Sequence, residues 1–229
     1  MPGTNARGLL KIGYLFPYNF SLIWSGDEDR PIIDWSNRSL SYCNSDPFFL
    51  PLDSTSGFTV RLGVSVVNGE DELNSHDHSE HVYRPSTFFA QVRIASSVDY
   101  IPIFSYTNFL SSVESQNAGL YDRSVRTRDF LNGGTIFREC NQALFPSLVY
   151  SLYSGSVHQQ TPSAGLNLVL YPEDYLDMLP GGRCIARILP GTVEDMGPSG
   201  PTGIMGLNAL QNVVGIFEPG HRIGFCEPY

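Results

Sequence analysis

Lysine is almost missing from this 229-residue chain: Lys11 is the single copy, and 14 basic residues stand against 23 acidic ones, for a formal net charge of −9. So few cations exclude a phosphate-tracking groove, because nucleic-acid affinity is built largely from clustered Lys and Arg. Arg123, Arg126 and Arg128 come nearest to a cluster, and so short a group reads as solvated loop charge. Charged residues of both signs make up only 16%, below the ~25% usual for soluble domains. Much of the surface is therefore expected to be covered, by the chain itself or by partners. Long apolar runs are missing as well. None approaches the ~20 residues that span a bilayer, so no transmembrane helix is predicted. Nor does a signal-peptide core develop near the start, since Leu9-Leu10 runs into Lys11. The expectation is an intracellular chain, or one whose true N-terminus lies ahead of Met1.

Several chemistries lack their residues. The four cysteines, Cys43, Cys140, Cys184 and Cys226, show no C-x-x-C spacing, so neither a zinc knuckle nor a thioredoxin-type site is suggested, and their three alternative pairings stay open. There is no Ser-His-Asp elbow, phosphate-binding glycine loop or dinucleotide fingerprint. Gly197-Pro-Ser-Gly-Pro-Thr-Gly203 is glycine-rich, but its prolines remove amide donors, and it reads as a turn. His76, His78 and His81 alternate with Asp77 and Glu80, yet irregular loop spacing gives no fixed tetrahedral geometry. That segment is expected to be an acidic linker, and no metal or other cofactor is expected. Asn19-Phe20-Ser21 and Asn37-Arg38-Ser39 are sequons that would accept glycans in a secretory compartment.

What the chain has in quantity is turn residues and alternation. It carries 22 glycines and 16 prolines. Phe58-Thr-Val-Arg-Leu-Gly-Val-Ser-Val-Val67, Phe88-Phe-Ala-Gln-Val-Arg-Ile94 and Leu166-Asn-Leu-Val-Leu-Tyr171 place apolar residues at every second position, the period of a strand with one buried face. An all-β fold is predicted. The best helical signal is 141–153, where Leu144, Leu148 and Leu152 recur every four residues and Pro146 falls in the first turn. A second short helix is predicted over 207–212, and Pro172-Glu-Asp-Tyr-Leu176 predicts a turn before a strand.

The closing string Thr202-Gly-Ile-Met-Gly-Leu-Asn-Ala-Leu-Gln-Asn-Val-Val-Gly-Ile-Phe217-Glu-Pro-Gly-His-Arg222-Ile-Gly-Phe225 resembles the end of pepsin-like aspartic proteases in order and spacing. That family carries Asp-Thr/Ser-Gly-Thr once per lobe, the two aspartates sharing a proton. The resemblance places the second copy at Leu131-Asn132-Gly133-Gly134-Thr135, with asparagine where the acid belongs. An amide cannot ionise and cannot act as the general base that activates water, although it can hydrogen-bond in the same place. The opening, Gly8-Leu-Leu-Lys-Ile-Gly13 and Pro17-Tyr-Asn-Phe-Ser-Leu-Ile-Trp-Ser-Gly26, is similar to the start of a first lobe. On that alignment Trp24-Ser25-Gly26 replaces the first triplet, and the Trp24 indole would plug the floor of the cleft. Leu52-Asp53-Ser54-Thr55-Ser56-Gly57 is only superficially similar to the triplet, because its glycine comes two positions late; Asp53 reads as an Asx-type turn.

The resemblance thus implies a pepsin-like architecture with a reduced N-terminal lobe (1–69), an acidic linker (70–87) and a preserved C-terminal lobe (88–229). Its residual cleft would be lined by Gly26, Gly133, Gly134, Thr135, Ile204, Met205 and Gly206, with Ile204-Met205-Gly206 crossing beside the Asn132 loop. It also implies a disulfide at Cys184, whose expected partner region, before Leu166, has no cysteine. The function implied is that of an inactive relative, a structural or binding subunit contacting other proteins, with a peptide-like ligand in the residual cleft. Two alternatives stand beside it: an active aspartic endopeptidase with a divergent site, and an inactive glycosidase-inhibitor or ligand-binding module. A secretory or endomembrane origin is implied if residues precede Met1.

Overall fold

Alternating apolar residues become strands. The computed structural model describes residues 19–24, 31–35, 39–52, 58–68, 88–94, 96–120, 134–154, 163–191 and 203–229. In chain order these form β1 (Phe20–Trp24), β2 (Pro31–Asp34), β3 (Phe48–Pro51), β4 (Thr59–Val67), β5 (Phe88–Val92), β6 (Asp99–Pro102), α1 (Ile103–Gln116), β7 (Thr135–Phe137), β8 (Ser147–Ser154), β9 (Ser163–Leu170), α2 (Pro172–Tyr175), β10 (Leu176–Leu179), β11 (Arg183–Ala186), β12 (Ile188–Gly191), β13 (Gly203–Met205), β14 (Val214–Glu218) and β15 (Arg222–Cys226). The structure is mostly β-sheet with few helices. No described helix is long and apolar enough to cross a membrane.

Three sheets result. The first has the order β2-β1-β14-β15-β3, the second β10-β11-β7, and the third β12-β6-β13-β5-β4-β8-β9. β4 comes from before the 70–87 stretch and β5 from after it, yet they pair antiparallel, Leu62 opposite Phe88. β1 likewise pairs with β14, Phe20 opposite Phe217. Two of the sheets therefore draw strands from both sides of the 70–87 stretch. Residues 70–87, with the His76, His78 and His81 segment, lie outside the described residues, as do Asp53 to Gly57, Asn37 and the arginines 123, 126 and 128.

Aromatic rings fill the space between layers. Phe20 stacks on Phe217 with centroids 4.7 Å apart, and Phe58 meets Phe217 edge-on at 4.9 Å. On the other side Phe109 of α1 packs edge-on against Phe137 and Tyr175. Each such ring, once enclosed, contributes roughly 1.5–3 kcal/mol of hydrophobic stabilisation. Tyr175 is fully enclosed, and its hydroxyl donates to the Pro146 carbonyl at 2.6 Å, so the ring is buried without an orphaned polar end.

Two helix readings change. Residues 141–153 do not form a helix: a single 3-10 turn, Gln142–Leu144, gives way to β8. A spacing of four is a multiple of two as well as about one helical turn, and the buried set is Leu148, Tyr150 and Leu152, which is alternation. Conversely, α1 carries Tyr106, Phe109 and Val113 inward at helical spacing, with Ser105 and Ser112 on the same buried face diluting the apolar stripe. It starts directly after Pro102, and Gly119, with φ +91°, turns the chain away beyond its end. The short helix expected at 207–212 is a 3-10 turn, Asn208–Leu210, and the Pro172 turn forms α2 leading into β10 as expected.

Cys43 bonds to Cys226 and Cys140 to Cys184. Cys184 thus finds its partner before the 3-10 turn, well upstream of the region the resemblance pointed to.

Candidate functional site

β13 is a three-residue strand held between β5, to which it runs parallel, and β6, to which it runs antiparallel. Passing between two strands requires glycine at both ends. A Cβ on Gly203 would lie 2.5 Å from the Phe88 ring and 2.8 Å from the Tyr100 carbonyl oxygen, and one on Gly206 would lie 2.7 Å from Val98 O and 2.8 Å from Ser96 O. Between them Met205 is fully enclosed and Ile204 nearly so.

The chain that leaves β5 and returns as β6 is laced to this strand. The Arg93 amide donates to Met205 O at 2.9 Å, and the Leu207 amide to Ser96 O at 2.8 Å. Ser96 Oγ donates to Val98 O at 2.6 Å, closing a tight turn inside the loop. The Asn208 amide nitrogen donates to Ser97 O and Arg187 O, at 3.2 and 3.4 Å. The Arg93 guanidinium turns back to Gln91, Nε donating to Oε1 at 2.6 Å.

Asp99, the first residue of β6, is the one carboxylate at this crossing among the described residues. It is wholly buried. Its Oδ1 accepts the Gly206 amide, and its Oδ2 has no hydrogen-bond partner. Burial pushes the carboxyl from an ordinary 3.8 up to about 7, against the lowering effect of the Gly206 N–H and the Asn208 amide. The Tyr150 hydroxyl on β8, also buried and without a partner, is pushed well up by its burial and then by the charge on Asp99. No second carboxylate contributes to the state of Asp99, so the coupled pair that aspartic-protease chemistry needs is not formed around it among the described residues.

The residues singled out from sequence are dispersed. Asn132, Gly133, Ser25 and Gly26 lie outside the described residues. Trp24, half-buried, ends β1 opposite Pro31 in the five-stranded sheet, whereas Ile204 and Met205 belong to the seven-stranded one and Gly206 directly follows them. Gly134 and Thr135 lead into the three-stranded sheet, where Thr135 lies opposite Ala186. A Cβ on Gly134 would come within 2.5 Å of Ala186 O. The 131–133 part of the loop expected beside Ile204-Met205-Gly206 lies outside the described residues. The described neighbours of Ile204-Met205-Gly206 are Arg93, Ser96, Val98 and Asp99, because β13 pairs with the strands that bracket 93–98. Sequence reasoning passed over Asp99, although an acid opening an apolar strand, Val98-Asp99-Tyr100-Ile101, is itself a signal that a carboxyl will be enclosed. Among the described residues no cluster of three or more His, Cys, Asp or Glu has the proximity to hold a metal ion. No protein-family model matches the chain, and no curated protein sequence matches it.

Proposed function

We propose that the protein is a non-catalytic relative of the pepsin-like aspartic proteases that serves as a structural or binding subunit. One observation carries the reading. The strand that the resemblance sets beside an acid-bearing loop flanks a loop, 93–98, whose residues include Arg93, Ser96 and Ser97 but no acid. The adjoining Asp99 is engaged by the Gly206 amide in the protein interior, where no substrate carbonyl can reach it. With Asn132 and Trp24 at the positions aligned with the family's acids, neither alignment supplies a pair of carboxylates.

Association with another protein is supported by apolar side chains left at the surface. Ile32 on the edge strand β2 and Trp35 just beyond it are 45% and 42% exposed, and Ile103 and Phe104 at the start of α1 are 59% and 55% exposed. Among the described strands β2 lies at a sheet edge, and such an edge with apolar neighbours is a template for another chain.

Incubation with a denatured protein substrate at acid pH, with products read by mass spectrometry, tests the reading. No cleavage beyond the no-enzyme control is expected. Cleavage that a pepsin-type transition-state inhibitor abolishes would show an active endopeptidase instead.

A further inference from the structure

We propose that Asp99 is a proton-operated lock on the β5–β13–β6 crossing: as the neutral acid it seals β13 in place, and as the carboxylate it loosens it. The geometry around the side chain is the starting point. Asp99 is fully enclosed, and its backbone is fixed, its amide donating to Arg187 O at 2.9 Å. One carboxyl oxygen takes the Gly206 amide; the other makes no hydrogen bond, the nearby Asn208 amide nitrogen being bonded to the Ser97 and Arg187 carbonyls. A buried carboxylate is tolerated when a cation or several donors answer it, and is costly otherwise.

The elements packed around Asp99 direct their charged groups elsewhere. The loop 93–98 brings Arg93, whose Nε is committed to Gln91. Arg187, just ahead of β12, points to Asp177 at 2.6 Å. β12, β13 and the 208–210 turn bring no ionisable side chain. α1 brings Tyr106, bonded to Thr135, and β8 brings Tyr150, whose own ionisation Asp99 opposes. The groups that favour the charged form of Asp99 are the Gly206 and Asn208 donors, and neither is a cation. Ionising Asp99 therefore places a charge that no described cation answers at the point where β13 is tied to β6 by one residue pair.

The direction of the pH dependence follows. Burial raises the Asp99 pKa from 3.8 to about 7, so the folded chain holds this proton more tightly than the unfolded chain. The stabilising contribution is fully present below the unfolded value and is lost as pH rises through about 7. The fold gains from acid at this residue, the reverse of the usual salt-bridged aspartate. The lock operates whether or not the protein cleaves peptides.

The test is urea unfolding of the full, disulfide-bonded chain and of Asp99→Asn at about pH 4, 6 and 8. Asparagine keeps an oxygen for the Gly206 amide but cannot ionise. Relative to Asp99→Asn, the wild-type folding equilibrium constant should fall by roughly two to three orders of magnitude from pH 4 to pH 8. Parallel pH profiles for the two proteins would overturn the proposal. Should Asp99→Asn fail to fold, the Asp99 side-chain carboxyl is titrated by carbon NMR in the wild type, with the Gly206 amide as a second reporter. A shared midpoint near neutrality supports the lock, and a carboxyl midpoint below about 5 rejects it.

Discussion

The hydroxyls of Tyr106 and Thr135 lie 2.7 Å apart in the protein interior, and Thr135 passes its own proton on to the Ile188 carbonyl at 3.0 Å. Since the Thr135 hydrogen is used there, Tyr106 is the donor to Thr135. One hydroxyl thus ties α1 and β7 to β12, the strand beside Asp99. Thr135→Val keeps the shape but removes both the acceptor offered to the Tyr106 hydroxyl and the donor to the Ile188 carbonyl. It should cost about 1–3 kcal/mol, with Thr135→Ser recovering most of it. Denaturant midpoints of the two variants check this. Equal stability of Thr135→Val and wild type would show that the relay contributes nothing.

Gly206→Ala should be more damaging than a surface substitution, even though it adds one carbon. The new Cβ would meet two carbonyl oxygens, of Val98 and Ser96, at 2.7 and 2.8 Å, and backbone cannot swing aside as a side-chain tip can. A loss of roughly 1–3 kcal/mol is expected from overpacking alone. Calorimetric melting of the variant measures it, and an unchanged Tm would mean that the crossing has room to spare.

The two disulfides should differ in worth. Cys43–Cys226 closes a separation of 183 residues and Cys140–Cys184 one of 44. On the loop-entropy account they stabilise by about 5 and about 4 kcal/mol, the longer loop ahead by about 1 kcal/mol. Replacing each pair by alanines and comparing unfolding free energies tests the order. A greater loss for the Cys140–Cys184 pair would point to native-state strain or packing as the controlling quantity.

Strand-forming segments were legible in the sequence because one periodicity governed them. Thr59–Val67, Phe88–Val92 and Ser163–Leu170 fall on the three alternating runs, and the Phe217 and Arg222 segments form the paired β14 and β15. Residues 141–153 were misleading, because leucines four apart satisfy two periods at once and only pairing with β4 and β9 chooses between them. α1 escaped notice since serines share its buried face; Ser112 is satisfied by the Asn68 side chain, a contact 44 positions away in sequence. Ile204-Met205-Gly206 was legible as a close crossing, its glycine being the signal. Its strand neighbours β5 and β6 were not, because neighbours in a sheet are set by long-range pairing. Asp99 escaped notice for the same reason: its enclosure is made by residues 187, 206 and 208, far away along the chain.

The five-stranded sheet sets an order of events during synthesis. Its β1 and β3, made early, lie on either side of the hairpin β14–β15, made more than 150 residues later. Until residues 214–226 leave the ribosome, Phe20 has no Phe217 to stack on and Leu50 no Ile223 to face. Early strands must therefore wait with their edges open until that hairpin is made, and such long-range closure is slow and exposed to wrong pairing. A nascent chain stalled short of Val214 should remain protease-sensitive around Phe20–Trp24, and should be a better client for a chaperone than the finished protein.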